Sequence, residues 1–113
     1  KRPECERLIA LGEYILHSIQ TTLHVKHWWL LNTKLQASSD KGEMLAILEQ
    51  LKELAAKEIR NAQEAIPAVE LDSRLGWEPS MEYVCDKWHL EWKVRQVNSA
   101  LREIETYKNM LEL

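Results

Sequence analysis

Apolar residues recur at helical spacing along most of the chain. In the first third, leucine or isoleucine returns every seven residues, at Ile9, Leu16, Leu23 and Leu30. These positions are flanked by further apolar residues, namely Leu8, Ile15, Ile19 and Trp29. Such a stripe is typical of one face of a long amphipathic helix, and it predicts a first helix over residues 3–37.

The same segment carries a second apolar stripe, formed by Leu11, Tyr14, Val25, Trp28, Leu31 and Leu35. A helix that is apolar on two sides is buried on two sides, whereas a three-helix bundle covers one broad face of each helix. We therefore expect the first stripe to face the bundle. Trp28, Leu31 and Leu35 of the second stripe are then expected to form a surface toward another domain.

Two further helices are predicted, over residues 41–71 and 80–112. Asp40 and Glu43 have the spacing of a capping box, in which each side chain bonds an unpaired backbone N–H. Pro67 is expected to kink the last turns of the second helix or to end it early. Pro79 suits the first turn of the third helix. We predict no sheet, because no useful length of chain alternates with period two.

These elements predict an all-α fold, an up-down-up antiparallel three-helix bundle with long helices, in a single domain over residues 1–113. The chain starts at Lys1 rather than at methionine, so we interpret it as a fragment of a larger protein. Cys5 and Cys85 could pair if their helices adjoin, but the sequence favours free, buried thiols that act as small hydrophobes.

Composition narrows the classes of partner. The net charge of −3 supplies no attraction toward nucleic acid or an anionic membrane surface, and no apolar run approaches the length of a membrane span. We expect no cofactor. His17, His24 and His27 share roughly one helix face, but no motif adds the third and fourth ligands that zinc requires, so we predict no metal site. The simpler interpretation is that these histidines bond to neighbouring side chains.

The segment from Leu71 to Tyr83 is the long break between helices, and it concentrates unusual residues. Its candidates for substrate binding or docking are Asp72, Arg74, Trp77 and Glu78, joined by Trp88 and Trp92 one turn apart on the third helix. The tryptophans suit core packing, docking to another domain or stacking on sugars. The acids suit capping and ion pairing better than the paired carboxyls of glycoside hydrolysis, so we assign no catalytic residue.

Two stretches carry a resemblance to a known class of proteins. EAIPAVELDSRLGWEPSMEY over residues 64–83 and WHLEWKVRQV over residues 88–97 resemble the C-terminal helical region of large sugar (glycoside) hydrolases from gut bacteria. The resemblance lies in order and composition, covers about the second half of the chain, and carries no catalytic residue onto any position here.

The resemblance implies a parent protein that acts on glycans in the periplasm, at the cell surface or outside the cell. It implies a non-catalytic accessory domain that buttresses or completes the catalytic domain of the same chain and reaches glycan only through that parent. Three alternatives stay open, of which an autonomous enzyme is the least favoured. A protein-interaction module would self-associate or bind a partner through Trp28, Leu31 and Leu35. A carbohydrate-binding module would use Trp77, Trp88 and Trp92.

Overall fold

The structure is a computed structural model, and it describes residues 3–71, 77–78, 83–84 and 87–113. In chain order, the elements are α1 (Pro3–Ala37), α2 (Lys41–Leu71), β1 (Trp77–Glu78), β2 (Tyr83–Val84) and α3 (Lys87–Leu111). The predicted all-α three-helix bundle is confirmed. α1 and α2 have the predicted bounds, and α2 runs on past Pro67 rather than ending early.

The connection between α2 and α3 differs from the prediction. Trp77 pairs with Val84 and Glu78 with Tyr83 in a two-residue antiparallel ladder, so the prediction of no sheet is wrong at this point. α3 consequently begins at Lys87 rather than near Ser80. The ladder is too short to leave a period-two pattern in the sequence, which explains why hydrophobic alternation did not reveal it.

α2 is the central helix, and it packs against α1 on one side and α3 on the other. Cross-helix pairs run in opposite directions along neighbouring helices. His17 and His24 of α1 bond to Asn61 and Glu58 of α2. Lys52 and Glu70 of α2 pair with Glu105 and Lys87 of α3. This pairing is what an up-down-up bundle requires. The resulting body is 57 Å long and 20 Å across its thinnest direction.

The core consists of two apolar clusters stacked along α2. One joins Leu31 to Ile47, Leu48, Leu51, Leu54 and Ile104, with Trp28, Leu35 and Leu111 packed against it. The other joins Ala62, Ala65 and Val69 to Leu90, with Tyr14, Ile66 and Val94 at its edge. Because alanine side chains are small, α1 and α3 can approach α2 closely at this end.

The turn between α1 and α2 is closed by a side-chain cap. Asp40 Oδ2 accepts a hydrogen bond from the backbone N–H of Glu43 at 2.9 Å, as the capping-box spacing predicted. The reciprocal bond differs, because the backbone N–H of Asp40 donates to Ser38 Oγ at 3.3 Å. The backbone N–H groups of Asp40 and Glu43 at the start of α2 therefore both have side-chain acceptors nearby in the sequence.

Burial is very uneven among the helices. α2 buries eleven residues over its length, whereas the longer α1 buries only Ala10, His24 and Leu31. Cys5, near the start of α1, is a free and exposed thiol, so the prediction of a buried thiol is wrong there. Cys85 lies outside the described residues. Among the helices the structure describes, none is long and apolar enough to cross a bilayer.

Candidate functional site

A buried carboxylate, Glu58, organises the polar contacts between the helices. Glu58 Oε1 accepts a hydrogen bond from His24 Nδ1 at 2.6 Å, and Oε2 accepts one from Thr21 Oγ1 at 2.8 Å. Lys93 of α3 completes the set through an ion pair with Oε2. One side chain of α2 therefore ties α1 and α3 together in the middle of the bundle.

Asn61, one turn further along α2, extends this arrangement. Its side-chain amide donates to His17 O and to Thr21 Oγ1, each at 2.9 Å. Its Oδ1 lies 2.7 Å from His17 Nδ1. We call Thr21, His24, Glu58, Asn61 and Lys93 the polar cluster. Because its buried members have hydrogen-bond partners, the cluster offsets the cost of their burial and holds the helices in register.

The protonation of the cluster follows from its contacts. Burial alone would raise the pKa of Glu58, but hydrogen bonds from Lys93, His24 and Thr21 outweigh burial and hold that pKa below its ordinary value. Gln20 Nε2 lies 2.9 Å from His24 Nε2, which assigns the ring proton of His24 to Nδ1, facing Glu58. The cluster thus carries an ionised carboxylate against a lysine.

A groove of about 460 Å³ opens beside the polar cluster, between α1 and α3 and over the small residues of α2. Its walls include Tyr14 and His17 from α1 and His89, Trp92 and Lys93 from α3. A second recess of about 290 Å³ lies further along the bundle, and its lining is mainly apolar, with Val25, Trp28, Leu54 and Val97. Lys93 lines both spaces.

Trp88 and Trp92 lie one turn apart at the start of α3 and expose 70% and 56% of their surfaces. Lys87 Nζ lies 5.6 Å from the ring centroid of Trp88, within cation–π distance. The two tryptophans therefore expose large rings on one helix face. Tryptophan is among the residues that contribute most of the binding free energy in protein interfaces. The interpretation of these two tryptophans as core residues is therefore wrong.

The other candidates from the connecting segment are only partly placed. Trp77 and Glu78 form β1, with their side chains outside the described residues. Asp72 and Arg74 lie outside the described residues altogether. Since α3 follows β2 closely, the chain brings the backbone of β1 and the two exposed tryptophans within one short stretch of sequence.

The predicted interdomain surface requires a correction. Leu31 is buried in the first core cluster, and Trp28 and Leu35 pack partly buried against it. These three residues therefore face α2 and not a separate domain. The two stripes of α1 were assigned to the wrong sides, because hydrophobic periodicity gives the positions that share a face but not which face meets the neighbouring helix.

The exposed stripe is instead the first one. We define the outer face of α1 as the set of its apolar residues with about half or more of their surface in solvent along that stripe: Leu8, Ile9, Ile15, Leu16, Ile19, Leu23, Trp29 and Leu30. Monomeric soluble proteins rarely leave so continuous an apolar surface uncovered. The outer face lies on the side of α1 opposite the polar cluster and the core, as its helical spacing requires.

The polar cluster is the feature that sequence reasoning did not identify. The histidines were expected to bond to neighbours, and His17 and His24 do so. Their partners could have been anticipated from Glu58 and Asn61, two polar residues three apart on the otherwise apolar face of α2. Among the described residues, no group of three or more histidine, cysteine or acidic side chains is arranged to hold a metal ion.

Comparisons of the chain with protein-family models, with curated proteins and with solved structures gave no match.

Proposed function

We propose that this chain is a non-catalytic helical accessory domain of a bacterial sugar hydrolase, and that it docks on the catalytic domain of its parent protein. The observation that carries the proposal is the exposure of Trp88 and Trp92 on one face at the start of α3. Exposed aromatic pairs of this kind supply much of the binding free energy where they occur in interfaces.

The chemistry of the bundle supports a docking role over catalysis. Glu58, the buried carboxylate beside the groove, accepts from His24 and Thr21 and is paired with Lys93. A general acid must carry a proton near neutral pH, whereas these donors lower the pKa of Glu58. Its role is to position helices, and a parent that supplies catalysis elsewhere fits the sequence resemblance. That parent would act in the periplasm, at the cell surface or outside the cell.

Calorimetry of the full-length parent tests the proposal. If the domain docks through these rings, the catalytic domain should unfold at a lower temperature in the Trp88→Ala/Trp92→Ala double variant. Met110→Ala is the control, because Met110 is comparably exposed but lies at the far end of α3, away from Trp88 and Trp92. Equal unfolding temperatures of the catalytic domain in the double variant and the unaltered parent would rule the docking role out.

The groove beside Trp92 favours a second candidate function, the binding of a glycan. Tyr14 and Trp92 line the groove with aromatic rings, which suit the apolar faces of sugars. Thr21 and Asn61 line it with polar side chains. Titration with oligosaccharides should then change the tryptophan fluorescence saturably at millimolar concentration, and Trp92→Ala should abolish the change. Fluorescence that does not respond to any glycan would exclude this function without bearing on docking.

A further inference from the structure

Apart from Leu16, whose counterpart is Thr22, the outer face of α1 has a pattern that is symmetric about Ile19. Leu8 and Leu30 lie eleven residues before and after Ile19, and Ile15 and Leu23 lie four residues before and after it. Ile9 and Trp29 are related in the same way. A second copy laid against such a helix in the opposite direction matches it, because a two-fold axis through Ile19 sets each position level with the position equally far on the other side of Ile19.

The charges of α1 divide between its two halves with opposite sign. The half before Ile19 carries Glu4, Glu6 and Glu13 against Arg7, whereas the half after it carries Lys26 and Lys34 and no acid. In an antiparallel pair centred on Ile19, Glu4 of one copy lies level with Lys34 of the other. A parallel pair would instead set like-charged halves side by side, which is unfavourable.

Gly12 provides a further, independent observation. A Cβ built at Gly12 would meet no atom within 4 Å, so packing within the chain does not require glycine there. A glycine inside a helix costs roughly 1 kcal/mol relative to alanine. The same two-fold axis sets Gly12 level with Lys26, the one charged residue in the middle of the outer face, so the missing side chain leaves space for the lysine stem of the other copy.

The outer face of α1 is also large enough to form a protein–protein interface. It extends for about 33 Å along α1 at 1.5 Å per residue. Eight apolar side chains, each exposing on the order of 100 Å², present roughly the 800 Å² per partner that a standard protein interface buries. An isologous dimer of this size is stable when its centre is apolar and its charges are complementary.

We propose that the outer face of α1 is a homodimer interface, in which two copies of this chain pack antiparallel about a two-fold axis through Ile19. The interface lies on α1 and is separate from the docking patch at Trp88 and Trp92. The dimer would join two parent proteins through their accessory domains. Lys26, as the one charged residue in the middle of this face, fixes the register of the pair.

Analytical ultracentrifugation of the 113-residue chain tests the dimer. We expect a concentration-dependent dimer of the 13.3 kDa chain. Ile19→Glu sets two like charges against each other at the axis and should weaken the dimer by about 100-fold or more. Met110→Glu is the control, because Met110 is an exposed apolar residue on α3 and its substitution should leave the dimer unchanged. Circular dichroism verifies that both variants keep their helices.

Cysteine cross-linking tests the direction of packing, in a background with Cys5→Ser and Cys85→Ser. A mixture of Leu8→Cys and Leu30→Cys chains should form an intermolecular disulfide, and Leu8→Cys chains alone should not. Self-cross-linking of Leu8→Cys would overturn the antiparallel arrangement. A chain that stays monomeric up to about 100 μM, or a dimer that Ile19→Glu does not weaken, would overturn the interface itself. Neither result depends on Trp88 or Trp92.

Discussion

Leu30 and Leu31 are neighbours in the chain, yet Leu31 exposes 2% of its surface and Leu30 exposes 51%. Leu31 packs in the cluster that joins α1 to α2 and α3, whereas Leu30 belongs to the outer face of α1. Successive residues of a helix point about 100° apart, so one peptide step is enough to separate the core from solvent. This pair marks where the two apolar stripes of α1 diverge in role.

The two leucines should respond very differently to truncation. Leu31→Ala removes buried methyl groups from a packed cluster and should lower the free energy of unfolding by about 2–5 kcal/mol. Leu30→Ala should lower it by less than about 1 kcal/mol. Urea denaturation measures the loss of unfolding free energy in each variant. Both substitutions are made in the Ile19→Glu chain, so that dimer formation does not contribute to the measured stability. Similar losses for the two variants would mean that both stripes of α1 are covered within the chain.

Glu58 should stabilise the bundle through its hydrogen bonds. Glu58→Gln preserves the shape of the side chain but replaces a charged acceptor by a neutral one and leaves Lys93 without its ion pair. We expect a loss of about 1–3 kcal/mol in the free energy of unfolding at neutral pH. Glu53→Gln on the exposed side of α2 is the control and should change stability by less than about 0.5 kcal/mol.

The same carboxylate should make stability depend on pH. Because the pKa of Glu58 in the folded state lies below its ordinary value of 4.5, the unfolded state binds more protons in the acidic range. The contribution of Glu58 to stability is therefore complete above the unfolded pKa and is lost as pH falls through the folded pKa. Unfolding free energies measured across the acidic range should fall less steeply in Glu58→Gln. If the unfolding free energy of Glu58→Gln fell with pH as steeply as that of the unaltered chain, the stabilising role assigned to the Glu58 carboxylate would be contradicted.

The start of α2 offers a local test. Asp40 caps the helix through its bond to the backbone N–H of Glu43, so Asp40→Ala should cost about 0.5–2 kcal/mol of stability. Asp40→Asn retains an oxygen acceptor in the same place and should cost much less. Thermal unfolding of the two variants side by side separates the cap from any effect of charge.

Local signals in the sequence determined the helices. The seven-residue spacing of Ile9, Leu16 and Leu23 predicted α1, and the spacing of Asp40 and Glu43 predicted where α2 begins. These signals act within one or two turns, so they can be recognised without any knowledge of what packs nearby. The start of α3 was misplaced because a two-residue ladder leaves no such repeating pattern.

Which side of α1 meets α2 was decided only by the tertiary structure. Both stripes of α1 are apolar. The hydrophobic effect favours burial of either stripe equally, so the residue types alone could not show which stripe packs against α2. The choice follows from the polar cluster: His24 and Thr21 must reach Glu58 on α2, and these residues lie beside Leu31 and Trp28 rather than beside Leu30. The sequence alone thus determined three amphipathic helices, while hydrogen bonds between residues far apart in sequence determined which apolar surface remained outside.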